Sequence, residues 1–128
     1  SWELPIGVTA IEFPNSKIFK KYENFVFVAD VNNGIIYKFK LDDTRTKFVF
    51  ESPHLQDNVL NIIENSENSV HVDDTGCLIS GYPCSGIEPM DEILFAKNLG
   101  VVTDMKFGPD GALYVISLME GKIYRIAN

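Results

Sequence analysis

Apolar and polar residues alternate most clearly in Ile35-Ile36-Tyr37-Lys38-Phe39-Lys40-Leu41, which places Ile35, Tyr37, Phe39 and Leu41 on one face of an extended strand. An apolar run, Phe25-Val26-Phe27-Val28, precedes it, and Asn33-Gly34 stands between the two. Asn-Gly is a strong hairpin signal, because a tight two-residue turn needs φ > 0 at both of its central positions. Near the other end of the chain, Ala112-Leu113-Tyr114-Val115-Ile116-Ser117 and Lys122-Ile123-Tyr124-Arg125-Ile126 flank Glu120-Gly121 in the same way. Gly108-Pro109-Asp110-Gly111 predicts a further tight turn, with Pro presetting φ and Gly111 taking the left-handed position.

These segments form an internal repeat. Thr9 and Phe13 match Thr103 and Phe107 at one offset; Gly34 and Tyr37 match Gly121 and Tyr124 at a slightly shorter one. A longer connection in the first copy, Pro14 to Asn24, accounts for the difference. Each copy reads as three antiparallel strands, and a fourth is expected in the first copy after the Asp42-Asp43-Thr44-Arg45 turn. Four-stranded antiparallel repeats of roughly 40–45 residues are the mark of a propeller blade. The expected fold is therefore all-β: a partial β-propeller of about two four-stranded blades, 1–51 and 98–128, with a long inserted excursion and returning outer strand at 52–97.

The excursion has mixed periodicity. Leu55, Val59, Ile62 and Ile63 at helical spacing, with Asp57 as a cap, predict a short helix. Val70 to Ile79 reads as strand, turn, strand, either one hairpin or a degenerate third repeat, and Glu92-Ile93-Leu94-Phe95-Ala96 as the outer strand that returns. Polar breakers between Asn58 and Ser69 predict local opening at low cost across 52–92.

Composition narrows the function. The 128 residues are 45% hydrophobic and carry a net charge of −7, which predicts one soluble acidic globular domain and argues against nucleic-acid binding, since that sign repels phosphates. Apolar runs fall far short of the roughly 20 residues needed to span a bilayer as a helix. Ser1-Trp2-Glu3-Leu4-Pro5 reads as a trimmed or mature start. Cys77 and Cys84 lie too far apart for a C-x-x-C pair; they read either as a candidate disulfide across a turn, in an oxidising compartment, or as two small apolar residues in one hairpin.

Val102-Thr103-Asp104-Met105-Lys106-Phe107-Gly108-Pro109-Asp110-Gly111-Ala112-Leu113-Tyr114-Val115, with the hairpin Gly121 to Ile126, resembles a segment of the glucose/sorbosone dehydrogenase family. Asn33 to Asp42 is similar to that family's G-x-I-x-R-x-x-L-D strand, and Trp2 to Phe13 to the approach to that blade. The resemblance covers about two thirds of the chain and corresponds to the C-terminal part of a six-bladed quinoprotein propeller. It implies a secreted or periplasmic location and, in the parent family, aldose oxidation with pyrroloquinoline quinone and calcium. The catalytic residues do not carry over. Family arginines that reach the quinone correspond to Val101 and Thr103, a cofactor lysine corresponds to Asn32, and neither His54 nor His71 matches the general base. No catalytic or cofactor-binding residue and no cofactor is therefore expected for this chain.

Asp30 and Asn32, with Ser117 in the second copy, are a candidate channel rim for a sugar or cation, or else turn formers that bond their own backbone. Asp73-Asp74 lacks a calcium ladder. Asp104 is expected to hold neighbouring backbone, Lys17, Lys20 and Lys21 to form a solvated face, and Tyr37 and Tyr124 to pack between blades. Two readings follow: an inactive segment of a dehydrogenase-like propeller, or a non-catalytic module binding a glycan or protein. Both leave apolar sheet faces to be covered by self-association, with three chains closing a six-blade ring in the simplest case or two if the middle is a third blade, by the remaining blades of a parent propeller, or by residues 52–92 folding over one face of a monomer.

Overall fold

The computed structural model describes residues 6–51 and 90–127. The helix at Leu55–Ile63, the strands at 70–79, His54, His71, Asp73, Asp74, Cys77, Cys84 and Trp2 all lie outside the described residues. The chain divides into two compact units, Ser1–Pro5 with Phe50–Glu92, and Ile6–Val49 with Ile93–Asn128. Within the first, the Glu92 carboxylate accepts the Glu51 N–H at 2.6 Å. A short helix, α1, runs over Met90–Ile93. Among the described residues, no helix is long and apolar enough to cross a membrane.

The second unit is built of antiparallel β-sheet. Strands β1 (Val8–Glu12), β2 (Phe25–Asp30), β3 (Ile35–Lys40) and β4 (Leu94–Ala96) form one sheet in that order. Strands β5 (Val102–Phe107), β6 (Leu113–Ser117) and β7 (Lys122–Ile126) form the other. The fourth strand of the first sheet is thus the returning segment β4, paired with β3 at Ile36–Ala96 and Tyr37–Leu94. The segment after the Asp42–Arg45 turn, expected to supply it, makes one isolated bridge, Leu41 to Phe48. Asp42 explains why. Its carboxylate accepts the Thr44 hydroxyl (2.7 Å) and the N–H groups of Thr46 (2.8 Å) and Lys47 (3.2 Å), curling the chain where a strand would need it straight.

The repeat holds at the level of register. In both sheets the first strand carries a bulge at its threonine: pairing slips between Val8 and Ala10 around Thr9, and between Val102 and Asp104 around Thr103. At the first residue of each hairpin loop the same bond recurs, Val31 N–H to Gly7 O (2.8 Å) and Leu118 N–H to Val101 O (2.9 Å). Both hairpins are four-residue loops, closed by Asp30–Ile35 and Ser117–Lys122, and of the residues in them only Gly34 (φ +63°) and Gly121 (φ +60°) have positive φ. Asn33 therefore does not adopt the conformation that a two-residue Asn-Gly turn would impose; the longer loop spreads the reversal over more residues.

The two sheets stack through one core. Phe27, Ala29 and Ile36 of the first face Val102, Met105, Leu113 and Val115 of the second, and Tyr124 and Ile126 pack against the same cluster. Because neighbouring residues point to opposite faces, Ile35, Tyr37, Phe39 and Leu41 share the other face of the first sheet, where all four are buried. Tyr124 thus packs between the sheets as expected, whereas Tyr37 lies on the far side of its own sheet.

The long first-copy connection contributes a plug. A 3-10 turn over Lys17–Tyr22 leaves Lys17, Lys20 and Lys21 exposed and buries Phe19, which meets Phe107 edge to face at 5.2 Å between ring centres. Phe27 and Phe95 stack beside it at 4.2 Å.

Candidate functional site

The β2–β3 and β6–β7 hairpins are laced together by the segment Leu99–Val101. Leu99 N–H donates to Gly34 O (3.0 Å), while Leu118 N–H donates to Val101 O. A side chain on Gly34 would begin 2.6 Å from Gly100 O, and one on Gly100 would begin 2.8 Å from Ser117 Oγ. The candidate rim residues sit here.

Asp30 ends β2 with its carboxylate fully buried, at 0% exposure. An isolated buried carboxylate is costly, so its partners matter. Oδ1 accepts the N–H groups of Gly7 and Asn32, both at 3.0 Å; Oδ2 accepts Asn33 Nδ2 at 2.6 Å and the Tyr37 hydroxyl at 3.4 Å. Gly7 lies just before β1, Asn32 and Asn33 in the hairpin and Tyr37 in β3, so one side chain ties three strands together. Burial, reinforced by the Asp30 carboxylate, pushes the Tyr37 phenol well above its ordinary value.

Ser117 holds the equivalent place in the second sheet. It is 1% exposed, and its Oγ has no hydrogen-bond partner among the described residues. The second tyrosine, Tyr124, donates instead to Glu120, which holds the Glu120 carboxyl below its ordinary value and raises the phenol. Of the three rim residues Asn32 alone is exposed. Asp30 and Ser117 are thus brought to one end of the unit but into its interior. A carboxylate already saturated by donors has little capacity to bind a sugar or act as a base. No histidine lies among the described residues to activate Ser117.

Asp110 forms a second polar centre. Its carboxylate accepts Ala112 N–H (3.1 Å), the Tyr114 hydroxyl (2.9 Å) and Arg125 Nε and Nη2 (3.0 and 2.9 Å). The Arg125 contact, together with the other donors, holds the Asp110 carboxyl below its ordinary range. The role of the Pro-Asp-Gly-x-Leu-Tyr stretch is thereby visible: Asp110 fastens the β5–β6 turn to β7. Asp104 accepts the N–H of Met105 at 2.9 Å beside the second bulge, a local backbone role as expected. Arg125 as the partner of Asp110 was missed in the sequence, because the pair is brought together only by the register of β6 and β7.

Among the described residues, no group of three or more His, Cys, Asp or Glu side chains could hold a metal ion. No protein-family model, curated protein or solved structure matches the chain.

Proposed function

We propose that the chain forms two successive blades of a β-propeller of the glucose/sorbosone dehydrogenase type and serves as a structural segment without quinone chemistry of its own. One observation carries this reading: the sheets stack head to tail. The second sheet presents the face of Val115 and Tyr124, whose first-sheet equivalents are Val28 and Tyr37. It packs on the opposite face of the first sheet, that of Ala29 and Ile36, whose second-sheet equivalents are Ile116 and Ile123. A heterologous arrangement of this kind leaves a face for the next member, as a ring requires. Ile116 and Ile123 are 41% and 68% exposed, whereas Ala29 and Ile36 are fully buried. The Ile116 face would be covered by a further blade from the remainder of a parent propeller; a second copy could stack there head to tail only by uncovering its face of Val28 and Tyr37, which is buried in this chain. The same relationship implies a secreted or periplasmic location.

The residues at this end do not fit the family cofactor. A quinone carrying carboxylates needs cationic partners, and the matching positions hold Val101, Thr103 and Asn32, beside the carboxylates of Asp30 and Glu120. The purified chain, supplied with pyrroloquinoline quinone and calcium, is expected to give no aldose-dependent dye reduction; quinone-dependent turnover would overturn the reading. Light scattering at micromolar concentration tests stacking between copies. A mass above 14.4 kDa, lowered by Ile123→Lys, supports it, and a single mass near 14.4 kDa removes it.

A further inference from the structure

We propose that Asn33 is a latent deamidation site held back by Asp30, and that its conversion to aspartate or isoaspartate opens this corner of the first sheet irreversibly. The inference rests on the Asp30 corner and stands whether or not the propeller reading holds.

Asn33 precedes Gly34, and a glycine in that place leaves an asparagine open to attack by the next backbone nitrogen, because no Cβ blocks the approach. In the reaction the Gly34 nitrogen bonds to Asn33 Cγ and the Cγ–Nδ2 bond breaks. The proton that Gly34 N–H gives up ends on Nδ2, which leaves as ammonia. Water then opens the resulting cyclic imide: addition at Cγ gives aspartate, and addition at the main-chain carbonyl gives isoaspartate. Nothing is oxidised or reduced, and water is the only co-reactant.

One residue holds both reacting groups. Asp30 Oδ2 accepts Asn33 Nδ2 at 2.6 Å, and the Asp30 carbonyl accepts the Gly34 N–H at 3.1 Å. The nitrogen that must attack is thus still protonated and aimed at a carbonyl, and the amide it must attack is tied to a carboxylate. Asn33 is exposed to water, whereas Gly34 is buried. Ring closure therefore waits on opening of the hairpin corner.

The product does not fit back. Aspartate at this position puts an acceptor where Asp30, at 0% exposure, now receives a donor, and among the described residues no cation pairs with Asp30. Two carboxylates in such contact cannot both stay ionised. Isoaspartate adds a methylene to the main chain beside Gly34, whose O accepts Leu99 N–H at 3.0 Å and where a side chain would begin 2.6 Å from Gly100 O. Either product loosens the lacing of the hairpin to the Leu99–Val101 segment. The second copy carries Glu120 before Gly121 and has no amide to lose.

The whole chain is incubated at mildly alkaline pH, with and without urea, and conversion of Asn33 is followed by peptide mapping with mass spectrometry. Conversion is expected to be at least about tenfold slower in the folded chain. Asp30→Asn keeps an acceptor oxygen for the Gly7 and Asn32 N–H groups while turning an amide towards Asn33; it should speed conversion in the folded state about tenfold. Phe19→Ala, which loosens the core away from this corner, should leave the folded-state rate within about twofold. Asn33→Asp should lower the melting temperature more than Asn33→Ala, which removes the same hydrogen bond without adding charge. That pair decides the matter where Asp30→Asn does not fold. Equal rates in the folded and urea-unfolded chain would overturn the proposal, as would equal rates in Asp30→Asn and Phe19→Ala, or equal melting temperatures for the two Asn33 variants.

Discussion

The two sheets are copies of one design that satisfy the same position in different ways. In the first, a buried aspartate gathers two backbone N–H groups, an asparagine and a tyrosine into one corner. In the second, a buried serine has no partner among the described residues, and the tyrosine turns to a glutamate at the surface. The first sheet also fills its β1–β2 connection with Phe19, where the second uses the tight turn Gly108–Gly111 held by Asp110. Equivalent register thus coexists with different side-chain partners: the first copy buries Phe19 in its connection and a bonded Asp30 at its strand end, where the second has a tight turn and an unpartnered Ser117.

Five substitutions test that contrast. The largest effect is expected from Phe19→Ala, which empties the ring cluster shared with Phe27, Phe95 and Phe107; urea denaturation should show a loss of about 4 kcal/mol. A loss below about 1 kcal/mol would mean the connection only decorates the core. Asp30→Ala is next, at about 3 kcal/mol, because it strands buried donors in place of the acceptor they share.

The paired glycines come third. Gly34 and Gly121 have nearly the same positive φ, so alanine at either costs about 1 kcal/mol in backbone conformation. At Gly34 the new methyl would also meet Gly100 O at 2.6 Å, whereas at Gly121 nothing lies within 4 Å. Gly34→Ala should therefore lower the melting temperature clearly more than Gly121→Ala; equal shifts would contradict the close approach of the hairpins. The smallest effect is expected from Ser117→Ala. Removing a buried hydroxyl without a partner relieves a desolvation cost, so stability should stay within about 0.5 kcal/mol or rise. A loss approaching that of Asp30→Ala would show that the serine is bonded in solution and that the two corners are alike.

Much of the fold was legible because its signals are local. Alternation in Ile35–Leu41, the Asn33-Gly34 and Glu120-Gly121 signals and the Pro-Asp-Gly turn each act within a few residues, and the matched threonines revealed the repeat, though not the bulges that the structure places at them. The plug was less legible. Ile18, Phe19 and Tyr22 interrupt a lysine-rich stretch, but burial of Phe19 depends on rings from β2, β4 and β5 that converge on it. Within the candidate site, the residues themselves were found and their exposure was not. Asp30 and Ser117 read as rim residues because they end a strand just before a turn, where propeller loops often line a central channel; here the Leu99–Val101 segment packs against the two hairpins.

The chain alone determined the strand units, their turns, the repeat that relates them and the returning outer strand, since propensity, periodicity and turn geometry are properties of neighbouring residues. Tertiary structure decided which segment pairs with β3, since β4 and the segment after Asp42 are both candidates until Asp42 captures the Thr46 and Lys47 amides. It also decided that Tyr37 and Tyr124 occupy different layers of the stack. Equivalent residues point to equivalent faces in both sheets, but head-to-tail packing covers those faces with different neighbours, and no local pattern encodes what a face will meet.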